Sequence, residues 1–110
     1  MGLVAARRFD VVLVRLDPTQ GSELRKTRPA AVISPNEMNG ALRTVIIAPM
    51  TTGGRSYPWR VDVTFGGKSG RIALDQIRTI DGSRVVRRLG ILDAETAQRT
   101  LETITEMFAP

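Results

Sequence analysis

The chain of 110 residues contains no cysteine and no histidine. The missing cysteine removes disulfides and thiolate metal sites, which fits a reducing compartment. The missing histidine excludes imidazole as catalytic base, acid or metal ligand. Any catalysis here must therefore work without imidazole. No apolar run approaches the ~20 residues needed to span a bilayer, and residues 1–10 hold no signal-peptide core. A cytoplasmic protein without a membrane partner is expected. No internal repeat, linker or second composition block occurs, so residues 1–110 are expected to form one domain.

Hydrophobic residues make up 42% of the chain, enough for a packed core rather than disorder. The net charge of +5 and a pI near 11.0 point mildly to a polyanionic partner. Clustering strengthens that pointer. Arg25, Lys26 and Arg28 lie in one polar loop between the apolar runs Val11-Val12-Leu13-Val14 and Ala30-Ala31-Val32-Ile33. The loop exceeds a hairpin turn of roughly 2–5 residues, and long loops in compact domains are usually functional. Pro29 fixes its own φ and pushes Arg28 toward extended backbone. A cation on a stiff support beside a basic loop suits a phosphate.

The pattern predicts strands over residues 9–16, 28–34 and 44–50, the last buried on both sides. Residues 35–40 carry turn chemistry with room for one helical turn. Alternation over residues 59–65 predicts a half-buried strand with Trp59, Val61, Val63 and Phe65 inward. Gly66-Gly67-Lys68-Ser69-Gly70 lacks phosphate-loop spacing and reads as a hairpin turn into a strand over 71–77. A further strand is expected within 78–86. Asp93 is an N-cap for a helix over 94–108, whose Ala94, Ala97, Leu101, Ile104 and Phe108 share one face. Short strands, glycine turns and one terminal helix predict a mainly β fold, a small and strongly bent sheet or barrel with a C-terminal helix.

Three blocks resemble the MazF/PemK family of toxin ribonucleases, in the family's order and spacing. They are Asp17-Pro18-Thr19 through Gly21-Ser22-Glu23 to Arg28-Pro29, then Ala48-Pro49-Met50-Thr51-Thr52, then Leu74-Asp75-Gln76-Ile77-Arg78-Thr79-Ile80-Asp81. With the leading strand and final helix the resemblance covers nearly the whole chain. It implies an SH3-like barrel of the MazF/PemK/CcdB type, assembled as a homodimer. It also implies a cognate antitoxin whose acidic C-terminal segment occupies the basic groove.

The resemblance assigns catalytic roles to Arg28 and Thr51. Arginine stays protonated, so Arg28 would act as a charge stabiliser. A threonine hydroxyl at a strand end can donate to a phosphate oxygen or position a ribose 2′-OH, although such hydroxyls commonly bond local backbone. Thr52 has a supporting role. Glu23 and Asp75 are carboxylates able to orient Arg28 or to accept a 2′-OH proton; a structural ion pair is the alternative for each. Gln76 belongs to the same RNA-binding set as Asp75. Arg25, Lys26, Arg55 and Lys68 are candidates for RNA backbone contacts. Tyr57, on a loop, is the stacking candidate, with Trp59 expected in the core. The chain departs from family pattern at Ala73, where some branches carry an arginine paired with the aspartate. It departs again at Leu24 and Lys26, where relatives carry glutamine and glycine. The expected activity is a metal-independent endoribonuclease with no cofactor, acting on single-stranded RNA, most readily messenger RNA. A gyrase-binding, non-enzymatic toxin of the same fold is the alternative, and an inactive RNA-binding module a third.

Overall fold

The structure, a computed structural model, describes residues 5–16 and 27–110. Its strands are β1 (Asp10–Arg15), β2 (Thr27–Val32), β3 (Thr44–Thr51), β4 (Arg60–Phe65), β5 (Lys68–Ala73), β6 (Arg78–Asp81) and β7 (Val85–Ile91). A short helix α1 (Asn36–Ala41) precedes β3, and α2 (Ala94–Met107) ends the chain. Every pairing is antiparallel. The strand order is β4-β5-β3-β2-β1-β7, with β6 also on β3. The expected architecture, mainly β with a C-terminal helix, is the one observed.

β3 is the pivot of a curled sheet. It pairs with β6 as far as Ile47, with β2 from Ile47 to Pro49, and with β5 from Met50 to Thr51. Ile46 turns its carbonyl to Ile33, so alternation turns the Pro49 nitrogen to the opposite edge, between the last β6 pair and the first β5 pair. The missing N–H falls where the strand changes partner, so the strand runs on to Thr51 instead of breaking. The curl also brings the two ends of the sheet together. A Cβ on Gly90 of β7 would lie 2.7 Å from the Phe65 ring on β4. Glycine there leaves room for that ring, which a larger residue would push aside.

Successive strand residues face opposite ways, and β1 and β2 bury both faces. Val11 and Ala31 join Ala48, Val61, Val63, Ile72 and Leu74 beneath α2, with Leu92 and Ala97. Val12, Val14, Ala30 and Val32 join Val45, Ile47 and Ile80 on the other side. This double burial is why the first two strands read as unbroken apolar runs. Beside them, the Ser34 backbone carbonyl accepts from Asn39 Nδ2 at 3.0 Å, and the Ser34 hydroxyl accepts from the Ile46 N–H at 3.0 Å. That buried link fastens α1 to β3.

Several boundaries differ from expectation. Phe9 adopts left-handed backbone (φ 73°) and stands outside β1. The turn after β4 is only Gly66-Gly67, with φ of 60° and 79°, the pair a two-residue mirror-image hairpin turn favours. β5 therefore starts at Lys68 and ends at Ala73, where a 3₁₀ turn (Leu74–Gln76) takes over. The region expected as one strand over 78–86 is two strands. They are split by a 3₁₀ turn (Gly82–Arg84), where the Asp81 carboxylate accepts from the Ser83 N–H at 2.9 Å. Trp59 is not core: it lies before β4 and is 38% exposed. In α2, Asp93 caps the N-terminus by accepting from the Thr96 N–H at 3.2 Å, as expected. The buried stripe is Thr96, Ala97 and Thr100, while Leu101 and Ile104 are half-buried and Phe108 is 73% exposed. Thr100 can be buried because its hydroxyl donates to the Thr96 carbonyl at 2.8 Å. Among the described residues, no helix is long and apolar enough to cross a membrane.

Candidate nucleic-acid interface

Arg28 is the second residue of β2, exposed, and opposite Val14 of β1. The β2–β3 register pairs Ala30 with Pro49. That is the last pair of the ladder; Arg28 lies two residues past it on β2, and Thr51 two residues past it on β3. Opposed residues on antiparallel strands share a face. On the other edge of β3 a rung is formed, since Thr51 opposes Arg71 of β5 and Arg71 opposes Asp62 of β4. One line across β3, β5 and β4 thus carries Thr51, Arg71 and Asp62. Arg78, opposite Ile47, is exposed on that face as well.

Thr51 is the unusual member of this line. Its hydroxyl oxygen is buried and has no hydrogen-bond partner among the described residues. The local-backbone bond usual for a strand-end threonine is not made. A buried hydroxyl without a partner costs about 1–3 kcal/mol. Gly70 lies against the Thr51 backbone, since a Cβ on it would collide with the Thr51 carbonyl oxygen. Rotation about χ1 moves a threonine hydroxyl between staggered wells. An incoming phosphate or ribose oxygen would supply a bond that no described residue makes.

Asp75 does not reach for Arg28. Its carboxylate takes a bidentate pair from Arg60, Nε and Nη2 each at 2.9 Å. This hydrogen-bonded pair holds the Asp75 pKa below its ordinary value and raises that of Arg60. A carboxyl so held is a weak base near neutral pH, so Asp75 is suited to positioning rather than to taking a proton. The arginine missing at Ala73 is replaced in space by one from the neighbouring strand: Ala73 and Arg60 are opposed. Gln76 is exposed on the 3₁₀ turn beside Asp75, and Thr52 is exposed just past β3. Tyr57 is half-buried against Trp59. Arg55 and Lys68 are exposed, on the loop after β3 and at the β4–β5 hairpin. Glu23, Arg25 and Lys26 lie outside the described residues, as do the Leu24 and Lys26 departures.

Sequence reasoning missed Arg60 and Arg71. Arg71 donates to Asp62 at 3.1 Å and to the Gly54 carbonyl at 3.1 Å, tying the loop after β3 to the β4–β5 hairpin. The signal was available in the Gly66-Gly67 turn, which sets the register that pairs these residues. Beside the rung, an open groove of about 630 Å³ runs between the β4–β5 hairpin and the start of α2, lined by Asp62, Thr64, Arg71, Thr96 and Arg99. It adjoins Thr52 and Gly70 but includes neither Arg28 nor Thr51. Among the described residues no three His, Cys, Asp or Glu side chains gather as a metal site.

A curled antiparallel half-barrel with a C-terminal helix, displaying arginines and threonines along one face, defines a small β domain suited to an extended polyanion. The chain belongs to the PemK-like, MazF-like toxins of type II toxin–antitoxin systems, whose family model matches residues 7–108. It is 35% identical over 71 residues to the endoribonuclease toxin MazF of Escherichia coli strain K12, covering 64% of each chain. The chain thus spans less than two thirds of that relative's length. It is 37% identical over 92 residues to the endoribonuclease MazF of Staphylococcus epidermidis, covering 78% of this chain and 77% of that one. Its fold matches a mycobacterial endoribonuclease solved in complex with its cognate antitoxin, with a TM-score of 0.81 at 20% identity over 96% of this chain and 98% of that one.

Proposed function

We propose that this protein is an endoribonuclease toxin that cuts single-stranded RNA, chiefly messenger RNA, without a metal ion. The observation that carries the proposal is the buried Thr51 hydroxyl, without a partner among the described residues, just past the β2–β3 ladder end that Arg28 also follows. The ribose 2′-OH attacks the adjacent phosphorus and loses its proton, and the bond to the 5′-oxygen breaks as that oxygen gains one. The products are a 2′,3′-cyclic phosphate and a 5′-OH end. Because the substrate supplies the nucleophile, the protein need only position it and stabilise charge. Arg28 would face the charge developing on the non-bridging oxygens, and Thr51 would donate to one of them. Such a site suits a chain without histidine or cysteine. Glu23, Arg25, Lys26, Thr52, Tyr57, Asp75 and Gln76 complete the RNA-binding set, Asp75 acting through Arg60.

The family and the antitoxin complex of its structural neighbour support a cognate antitoxin with an acidic, extended segment competing with RNA for the same arginines. A cytoplasmic homodimer of one-domain chains completes the reading. A gyrase binder would need neither Arg28 nor the Thr51 hydroxyl. The test is pure protein on a single-stranded RNA in excess EDTA, with end-group analysis. Cleavage to 5′-OH and cyclic phosphate ends is expected, and none when the cut-site ribose is 2′-deoxy. Activity that appears only with added Mg²⁺ or Mn²⁺ would refute the mechanism.

A further inference from the structure

We propose that the exposed face of Trp59 is a stacking platform for an unpaired base of the RNA, close to the cut site. The endoribonuclease reading supplies the ligand; an aromatic cluster supplies the geometry. Tyr57-Pro58-Trp59-Arg60 forms a turn closed by the Arg60 N–H donating to the Tyr57 carbonyl at 3.0 Å. Pro58 occupies the second position, where its preset φ stiffens the turn. The turn folds the two rings together, centroids 5.0 Å apart and planes 9° from parallel. The Arg60 guanidinium carbon lies 5.4 Å from the Tyr57 centroid, and both oxygens of Asp75 hold that guanidinium in place. The Trp59 carbonyl accepts from the Leu74 N–H at 3.3 Å, which ties the turn to the 3₁₀ turn carrying Asp75 and Gln76.

This cluster is fixed before any ligand arrives. Tyr57 is half-buried between its neighbours, whereas Trp59 keeps 38% of its surface exposed with one side against Tyr57. A large indole left open on a basic chain has the form of an aromatic shelf for single strands, where every base offers a π-face. Its place relative to the rung fits. Arg60 is two strands and two residues from Thr51 on the same face, about 12 Å by ordinary sheet spacing. The assignment moves the stacking role from Tyr57 to Trp59, with Tyr57, Arg60 and Asp75 as its supports.

Trp59 is the only tryptophan in the chain, so its fluorescence reports this site alone. Titrate the protein with a short all-deoxy single strand, which cannot be cut, and with an abasic strand of equal length. The base-bearing strand should quench Trp59 emission and the abasic strand should not. Trp59→Ala should weaken binding of the base-bearing strand by roughly tenfold, and Trp59→Phe should restore most of it. Equal quenching by both strands, or unchanged affinity in Trp59→Ala, would overturn the platform. So would a Trp59→Ala protein that binds the strand normally but loses affinity for a synthetic acidic peptide, which would mark a protein-contact residue. Should Trp59→Ala fail to fold, the wild-type titration decides alone. Base-dependent quenching in a protein that cuts no RNA would keep the platform and refute the nuclease. RNA cleavage without such quenching would do the reverse.

Discussion

Replacing Thr51 by valine should stabilise the protein while disabling it. Valine has nearly the shape of threonine and lacks only the hydroxyl. That hydroxyl is buried with no partner among the described residues, so removing it relieves a desolvation cost. An unmade buried bond costs about 1–3 kcal/mol, and half-burial of the residue places the gain at the low end, about 1 kcal/mol. In a domain of this size that raises the melting temperature by roughly 3–6 °C. Under the proposed reaction the same change removes a donor to the transition state, for a loss of roughly 10²-fold or more in rate. Most substitutions destabilise, so a simultaneous gain in stability and loss of rate marks a polar group retained for function. Thermal melts and single-turnover cleavage on wild type, Thr51→Val and Thr51→Ser would decide. Thr51→Ser keeps the hydroxyl and should retain most activity. A lower melting temperature in Thr51→Val would mean that the hydroxyl has a partner in the free protein. Full activity in Thr51→Val would remove it from the reaction.

Arg28→Ala should fold normally and lose roughly 10²–10³-fold in rate, with poor rescue by lysine because a point charge does not replace a planar fork; full activity in a folded Arg28→Ala would exclude it from the site. The pKa of Asp75 is lowered on folding, so its contribution to stability is present above the unfolded carboxyl pKa and is lost as pH falls through the folded one. Denaturation midpoints of wild type and Asp75→Asn should therefore differ at pH 7 and converge in acid, modestly because the pair is partly exposed; a gap that widens in acid would contradict the latch. Gly90→Ala should cost about 1–3 kcal/mol by overpacking the Phe65 ring, and Phe65→Leu in the same chain should recover part of it; a neutral Gly90→Ala would show that the closure is loose.

Short-range chemistry determined much of this protein. The apolar runs on either side of the polar loop, the run over residues 44–50 and the Asp93 cap each depend on neighbours within a few residues, and each became an element of the expected type. Arg28 and Thr51 were singled out because motif blocks name them, and each lies at or next to a strand end. What the sequence left open was register and accessibility, which depend on contacts between distant residues. Reading five residues as the turn after β4 hid the Gly66-Gly67 hairpin, and with it the pairs Arg60–Ala73 and Arg71–Asp62. From those pairs come the Arg60–Asp75 latch and the tie between Arg71 and Gly54. Periodicity counted Trp59 as the first inward residue of a strand, but the turn at Pro58 closes before the strand begins and leaves the indole outside. In α2 the apolar stripe was visible, yet only packing against the sheet selected the Thr96, Ala97 and Thr100 side and left Phe108 exposed. A period of 3.6 defines a face, whereas how far along the helix that face is buried depends on where the sheet beneath it ends.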